Sequence, residues 1–284
     1  MHLSGHGDCT RIGRTALRIA RGTGENHMSE MNPYQPPAPA AASSELAAAG
    51  FNAEPRLLDA GHGWTWIVSA FSLFTKQPGM WVLLFIIYFV CCALLGMIPF
   101  LGGFANLLLL PVFGAGFMRA CRVIDEGGEI AVEHLFFGFK NKTGDLMLIG
   151  VFACLPLAVV IAGLLLAGGV GIFAALFGGT QALAALGASV ALVMLAALVI
   201  SVPVYMALWF AAPLVLFDGL KPGAALKASF SASLKNVIAF TLYAIVLVVL
   251  FIVATIPFGL GLIVVVPVAL ISVYTAYRDI FFAA

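Results

Sequence analysis

The sequence predicts an all-α fold: a polytopic membrane protein whose six transmembrane helices form three hairpins, each preceded by an interfacial amphipathic helix. Three observations predict it. Apolar and aromatic residues make up 62% of the 284-residue chain and charged residues only 10%, against roughly 25% charge in a soluble domain. The charges are clustered, leaving uncharged runs of 42, 72 and 42 residues after Lys76, Asp145 and Lys235. Helix-disrupting turns divide those runs. A bilayer core of roughly 30 Å takes about 20 helical residues to cross, so each run holds two crossings. The 72-residue run also has room for a re-entrant segment.

The composition excludes a water-soluble globule, a mostly disordered chain and a disulfide-stapled secreted scaffold. A net charge of +1 gives no basic surplus for nucleic acid.

Turn chemistry places the helices. The first run breaks at Pro99 to Gly103 and the last at Pro257 to Gly261; Pro lacks a donor and Gly is flexible. The middle run breaks in the Gly-rich stretch from Gly168 to Thr180. Helices are therefore expected near residues 80–98, 102–118, 146–167, 182–211, 237–256 and 259–277, with a kink at Pro203 in the fourth.

The three turns on one side hold no charged residue. The opposite loops hold Arg119, Arg122, Lys140, Lys142, Lys221, Lys227 and Lys235, with Arg56 and Lys76 before the first helix and Arg278 after the last. Positive residues accumulate on the cytoplasmic side, so both termini are expected inside a bacterial inner membrane.

Residues 1–60 are expected to form a disordered cytoplasmic tail and residues 61–284 the membrane domain. Arg11, Arg14, Arg18 and Arg21 recur at helical spacing, but no apolar stretch follows them. Residues 1–30 read either as a targeting helix or, the preferred expectation, as sequence ahead of the natural start, with Met28 and Met31 as alternative starts. Residues 32–60 are rich in Pro and Ala and poor in large apolar groups.

The first and last runs resemble one another. Lys76 to Pro99 spans 23 positions and Lys235 to Pro257 spans 22; Pro111 to Arg122 and Pro267 to Arg278 each span eleven. Each run follows an amphipathic segment. In the first, Thr65, Ser69, Ser72 and Lys76 form a polar stripe opposite Trp64, Val68, Phe71 and Phe74; in the last, Lys227, Ser231 and Lys235 oppose Leu226, Phe230 and Leu234. That is the period of a helix lying in the membrane interface. Leu135, Phe136 and Phe139 ahead of Lys140 and Lys142 form a weaker middle counterpart. The chain reads as three copies of one unit, or as two parallel copies flanking a divergent middle pair.

Three segments carry a resemblance to known proteins. The MNPYQPP start, WTWIVSAFSLFTKQPGMWVLLFIIYF and CRVIDEGGEIAVEHLFFGFK resemble an uncharacterised family of bacterial membrane proteins, over residues 31–284. More loosely, APLVLFDGLKPGAALKASFSASLKN is similar to the six-helix membrane domain joined to some glycerophosphodiester phosphodiesterases, at Pro213, Ala225, Leu226, Ser229 and Asn236. Those enzymes carry their chemistry in a separate soluble domain, which this sequence does not show. The resemblance implies an inner-membrane fold and no activity.

Catalysis or ion coupling in a bilayer needs ionisable groups at membrane depth, and the interiors of the expected helices hold none. The candidate intramembrane polar site is Asn106, Pro156, Pro203 and Tyr205. There an amide, a phenol and proline-broken helices would line a midplane site; the blander role for Asn106 is a helix-helix hydrogen bond. The candidate cytoplasmic interaction surface is Asp125, Glu126, Glu129, Glu133 and His134, read otherwise as a solvated turn whose acids offset nearby bases.

The five cysteines form no framework, and no two histidines stand at ligand spacing. Small-residue pairs Gly163 with Ala167 and Ala185 with Ser189 suit close helix packing, within the bundle or between copies. No enzymatic activity and no cofactor are expected. The partners expected are membrane lipids and a protein partner or a second copy. The function expected is a non-enzymatic scaffold contacting lipid or a partner. The alternative is a transporter or channel for an apolar or zwitterionic small molecule.

Overall fold

The computed structural model describes residues 50–52, 54–99, 101–177 and 181–282. Residues 1–49, which hold most of the expected tail and both alternative starts, lie outside these, and nothing is described of the side chain of Ala185. The order is α1 (His62–Lys76), α2 (Pro78–Gly96), α3 (Leu101–Asp125), a 3-10 turn (Val132–Phe136), α4 (Phe137–Lys140), α5 (Thr143–Ala153), α6 (Leu155–Phe177), α7 (Gln181–Leu208), α8 (Ala211–Leu216), α9 (Pro222–Lys235), α10 (Val237–Thr255) and α11 (Leu262–Phe281).

Among the described residues, six helical stretches are long and apolar enough to cross a membrane: Pro78–Gly96, Leu101–Asp125, Thr143–Gly169, Leu186–Leu216, Val237–Thr255 and Leu262–Phe281. The expected all-α, six-span class is the one observed. The boundaries differ in informative ways. Helix α3 runs to Asp125, beyond the expected residue 118, and other elements hold its last turn: Lys76 donates to the Ile124 carbonyl at 3.2 Å, and Tyr274 and Arg278 of α11 take Asp125. The fourth span, expected to kink at Pro203, stays helical through that residue to Leu208. Its break falls at Trp209 and Phe210, where the hydroxyl of Ser229 accepts the Phe210 amide at 2.9 Å and donates to the Met206 carbonyl at 2.9 Å. A side chain from α9 thus supplies partners for groups at the interrupted ladder.

The two outer units repeat element by element. Helix α1 ends at Lys76 and α9 at Lys235; a single non-helical residue follows each, Gln77 or Asn236; then comes a 19-residue span, α2 or α10. Both hinge residues use their side-chain amide to accept a remote backbone donor. Gln77 takes Ile130 N at 2.9 Å, and Asn236 takes Leu58 N at 2.8 Å. The second span of each unit carries an internal proline, Pro111 or Pro267.

The interfacial segments lie against the second span of the preceding hairpin. The 3-10 turn and α4 pack on α3, α9 packs on α7, and α1 closes the circuit by packing on α11. Glycines allow the close approaches. A Cβ on Gly116 would collide with the Leu135 carbonyl, and one on Gly138 with the Val112 carbonyl. In the middle hairpin Gly163 receives Val193 and Ala167 is buried, so this small-residue pair serves the contact between α6 and α7.

The sequence suggests two-faced interfacial helices, but the structure gives them three faces. Helix α1 buries Trp66, Ile67, Ala70, Leu73 and Phe74, exposes Trp64, Val68 and Phe71, and presents Thr65, Ser69, Ser72 and Lys76 on a third side. Phe74 therefore belongs to the core and not to the exposed apolar stripe. Helix α9 buries small residues, Ala225, Ser229, Ala232 and Ser233, and leaves Leu234 exposed. A helix at an interface beside protein meets protein, hydrocarbon and water at once, which two stripes do not describe.

The membrane unit, expected from residue 61, takes in residues 51, 52 and 55–58 as well. Asn52 N donates to the Phe281 carbonyl at 2.8 Å and Arg56 N to the Ile280 carbonyl at 3.0 Å. The last carbonyls of a helix have no partner within it, and this segment supplies one. Phe51 stacks on Phe281 with ring centroids 6.2 Å apart.

Candidate functional site

The polar chemistry gathers at one end of the bundle, around the last two turns of α11. Tyr277 donates to Asp218, just past α8, at 2.6 Å. Tyr274 donates to Asp125 of α3 at 3.1 Å, and Arg278 forms an ion pair with the same carboxylate. Asp279 accepts from Trp66 Nε1 at 2.7 Å and lies 2.7 Å from His62 Nδ1, both in α1. Residues spaced three or four apart on a helix share a face, and neighbours point elsewhere. Four side chains within six positions therefore reach three different elements.

Asp218 is buried, and burial pushes its carboxyl up to about 7, while the Tyr277 hydroxyl, Arg122 and Lys142 pull the other way. Lys142 donates to the Val215 carbonyl at 2.8 Å, and Arg122 stacks over the Phe217 ring at 4.9 Å. The cationic heads are thus held against the segment that carries the acid.

Beside this layer, between α1 and α11, a cleft of about 580 Å³ opens, with charged and hydroxyl groups set among apolar side chains. Arg56, Lys76, Arg278, Ser69 and Ser72 line it, with Thr65 at its edge and the acids Asp125 and Asp279 in its wall. Both acids already hold partners, as described above. Lys76 Nζ donates one bond, to the Ile124 carbonyl at 3.2 Å, leaving two N–H groups for the cleft.

The candidate intramembrane residues occupy separate places. Asn106 Nδ2 donates to the Cys92 carbonyl at 3.0 Å across the first hairpin, and its buried Oδ1 has no partner. Pro156 lies in the first turn of α6 and Pro203 inside α7. Tyr205 faces a largely apolar cleft of about 270 Å³ at the α7–α8 break, with Pro111, Trp209 and Pro213.

The acidic loop divides as well. Asp125 turns inward to α11 while Glu126 pairs with Arg122 at 3.0 Å. Glu129 and Glu133 stand exposed. His134 Nδ1 accepts the Ala131 amide at 3.0 Å, and burial, then Arg119, lowers its pKa. No group of three or more potential metal ligands forms among the described residues.

Reasoning from sequence missed Asp218, Tyr274, Tyr277 and Asp279. A signal was present: Asp218 is the acid that ends the 72-residue uncharged run, and the two tyrosines stand three apart beside Arg278.

Six apolar spans with polar groups drawn to one end define an integral membrane protein. A "probable inner membrane protein" of Burkholderia thailandensis is 31% identical over 191 residues, 64% of this chain and 70% of that protein. The chain belongs to the family of that protein, and it is a multi-pass inner-membrane protein. No family model and no solved structure matches it.

Proposed function

We propose that the protein is a non-enzymatic, lipid-contacting scaffold of the inner membrane, with both termini and the polar layer on the cytoplasmic side. One observation carries this reading. Helix α1 presents Trp64, Val68 and Phe71 on an exposed apolar face while its polar stripe lines a cation-bearing cleft. That is the division of an element seated between acyl chains and headgroups. The orientation follows from charge: the α10–α11 turn at Pro257 to Gly261 holds no charged residue, whereas Arg56 and Arg278 sit at the opposite end.

The likeness of the segment from Ala212 to Asn236 to the membrane domain of glycerophosphodiester phosphodiesterases belongs to the same reading. Of the five shared positions, Pro213, Ala225, Ser229 and Asn236 are buried and Leu226 is half-buried, and Ser229 and Asn236 bridge elements, so four of the five serve the packing of the fold. The MNPYQPP start, which lies outside the described residues, is read as a mark of the uncharacterised bacterial family that the sequence resembles, apart from the phosphodiesterase likeness.

The test is purification in native-lipid particles from the source membrane. The expected result is enrichment of some lipid class over the bulk membrane. Bulk composition around the protein, together with altered small-molecule uptake in a deletion strain, would favour the carrier reading instead. The cleft beside Tyr205 supports that second reading, since its apolar lining suits an apolar cargo.

A further inference from the structure

We propose that the cleft between α1 and α11 binds the phosphate of an anionic phospholipid, with one acyl chain in the groove on the far side of Val68. The inference deepens the lipid-contacting reading and rests on it.

Two cavities meet at α1. The cleft between α1 and α11 offers three full cations, Arg56, Lys76 and Arg278, against two acids. Asp125 is held by Arg278 and Tyr274, and Asp279 by His62 and Trp66, so each acid already holds hydrogen-bond partners inside the protein, and Arg56 and Lys76 are the cleft cations not paired with an acid among the described residues. Arg278 is the more exposed member of its pair, at 54% against 25% for Asp125, which leaves its outer N–H groups toward the cleft. Ser69 and Ser72 are exposed on the same face, and no hydrogen bond engages either hydroxyl among the described residues. Serine hydroxyls, a guanidinium and an ammonium are the donors that phosphate oxygens take.

The second cavity is a wholly apolar groove of about 310 Å³ between α1 and the spans α10 and α11. Trp64, Phe71, Leu250 and Val265 line it, and Val68 lines both cavities. A free phosphate would use only the first. A molecule with an anionic head and a hydrocarbon tail uses both, with Val68 at the junction. Tryptophan at such a junction suits the boundary between headgroup and chain.

The experiment is native mass spectrometry of the full chain in detergent, titrated with phosphatidylglycerol, phosphatidylcholine or inorganic phosphate, with thermal melting as a folding control. The parent protein should retain phosphatidylglycerol in preference to phosphatidylcholine. One cation near a membrane surface is worth about fivefold in binding, so Lys76→Gln should weaken phosphatidylglycerol retention by about that factor and leave phosphatidylcholine unchanged. Val265→Trp, which fills the groove, should weaken the lipid and spare any phosphate effect. Equal retention of both lipids, or no response to Lys76→Gln in a protein that still melts normally, overturns the proposal. Displacement of phosphatidylglycerol by millimolar phosphate, with Val265→Trp silent, overturns the lipid assignment in favour of a small anion. None of these failures touches the broader scaffold reading, which fails only if native particles show no enriched lipid.

Discussion

Tyr277 of α11 donates a 2.6 Å hydrogen bond to Asp218, 59 residues earlier, and this contact joins the last span to the end of the fourth. The acid is almost fully buried, at 3% exposure, so the bond forms where water does not compete.

That burial makes stability depend on pH. The Asp218 carboxyl moves from an ordinary 3.8 to about 7 in the folded chain. The fold therefore favours the protonated acid. Its contribution is complete below 3.8 and is lost as pH rises through about 7. The melting temperature in detergent should fall between pH 5 and pH 8. Asp218→Asn keeps an oxygen to accept from Tyr277 and cannot ionise, so it should flatten that slope. An equally steep slope in the variant would remove Asp218 as its source.

Ser229 holds the helix break between α7 and α8. Substituting alanine leaves the Phe210 amide without its acceptor in a fully buried setting. An unsatisfied buried donor costs about 1–3 kcal/mol, so Ser229→Ala should lower stability by that amount in a denaturant titration. Ser229→Thr retains the hydroxyl and should lose less, unless the added methyl collides.

The helix and hinge pattern of the outer units was legible because it rests on local chemistry. Lysines end the amphipathic segments, prolines interrupt the hairpins, and long uncharged runs fix the number of crossings. The polar layer was not legible, because Tyr277 and Asp218, or Trp66 and Asp279, meet only after six spans have packed. Helical periodicity reports a residue's own face and not which distant element covers it. Phe74 shows the limit: it shares the apolar stripe of Trp64 and Phe71 by spacing, yet it is buried in the core.

Asn236 tests the repeat. Its amide accepts Leu58 N at 2.8 Å and donates to the carbonyls of Arg56 and Ala232 at 2.9 and 3.0 Å. Asn236→Ala should free the segment before α1, seen as faster proteolysis between residues 51 and 60, with a stability loss of about 1–3 kcal/mol. The equivalent Gln77→Ala should loosen the loop after α3 instead, since Gln77 holds Ile130 N. Loosening at the same place in both variants would break the equivalence of the two hinges.

Close backbone approach gives a sharper packing test. Gly116 lies against the Leu135 carbonyl and leaves no room for a methyl, whereas Gly114, two residues earlier in α3, has open space around its Cα. Overfilling a packed contact costs about 1–3 kcal/mol, and a backbone neighbour yields less readily than a side chain. Gly116→Ala should therefore destabilise the protein by at least that much. Gly114→Ala should be neutral or stabilise it by up to about 1 kcal/mol, the helical advantage of alanine. Equal effects at both sites would mean that the 3-10 turn does not rest on α3.

The proposed orientation is open to a direct chemical test. Phe258, in the turn between α10 and α11, is fully exposed, while Glu129 is exposed at the other end, in the loop after α3. In a background with the native cysteines replaced, a membrane-impermeant maleimide added outside spheroplasts should label Phe258→Cys at once and Glu129→Cys only after permeabilisation. The reason is electrostatic: turning the protein over would carry the cations at the polar end to the outer face, against the bias that retains them in the cytoplasm. The reverse labelling pattern would invert the orientation and leave the fold unchanged, because no hydrogen bond or helix contact depends on which compartment lies at either end.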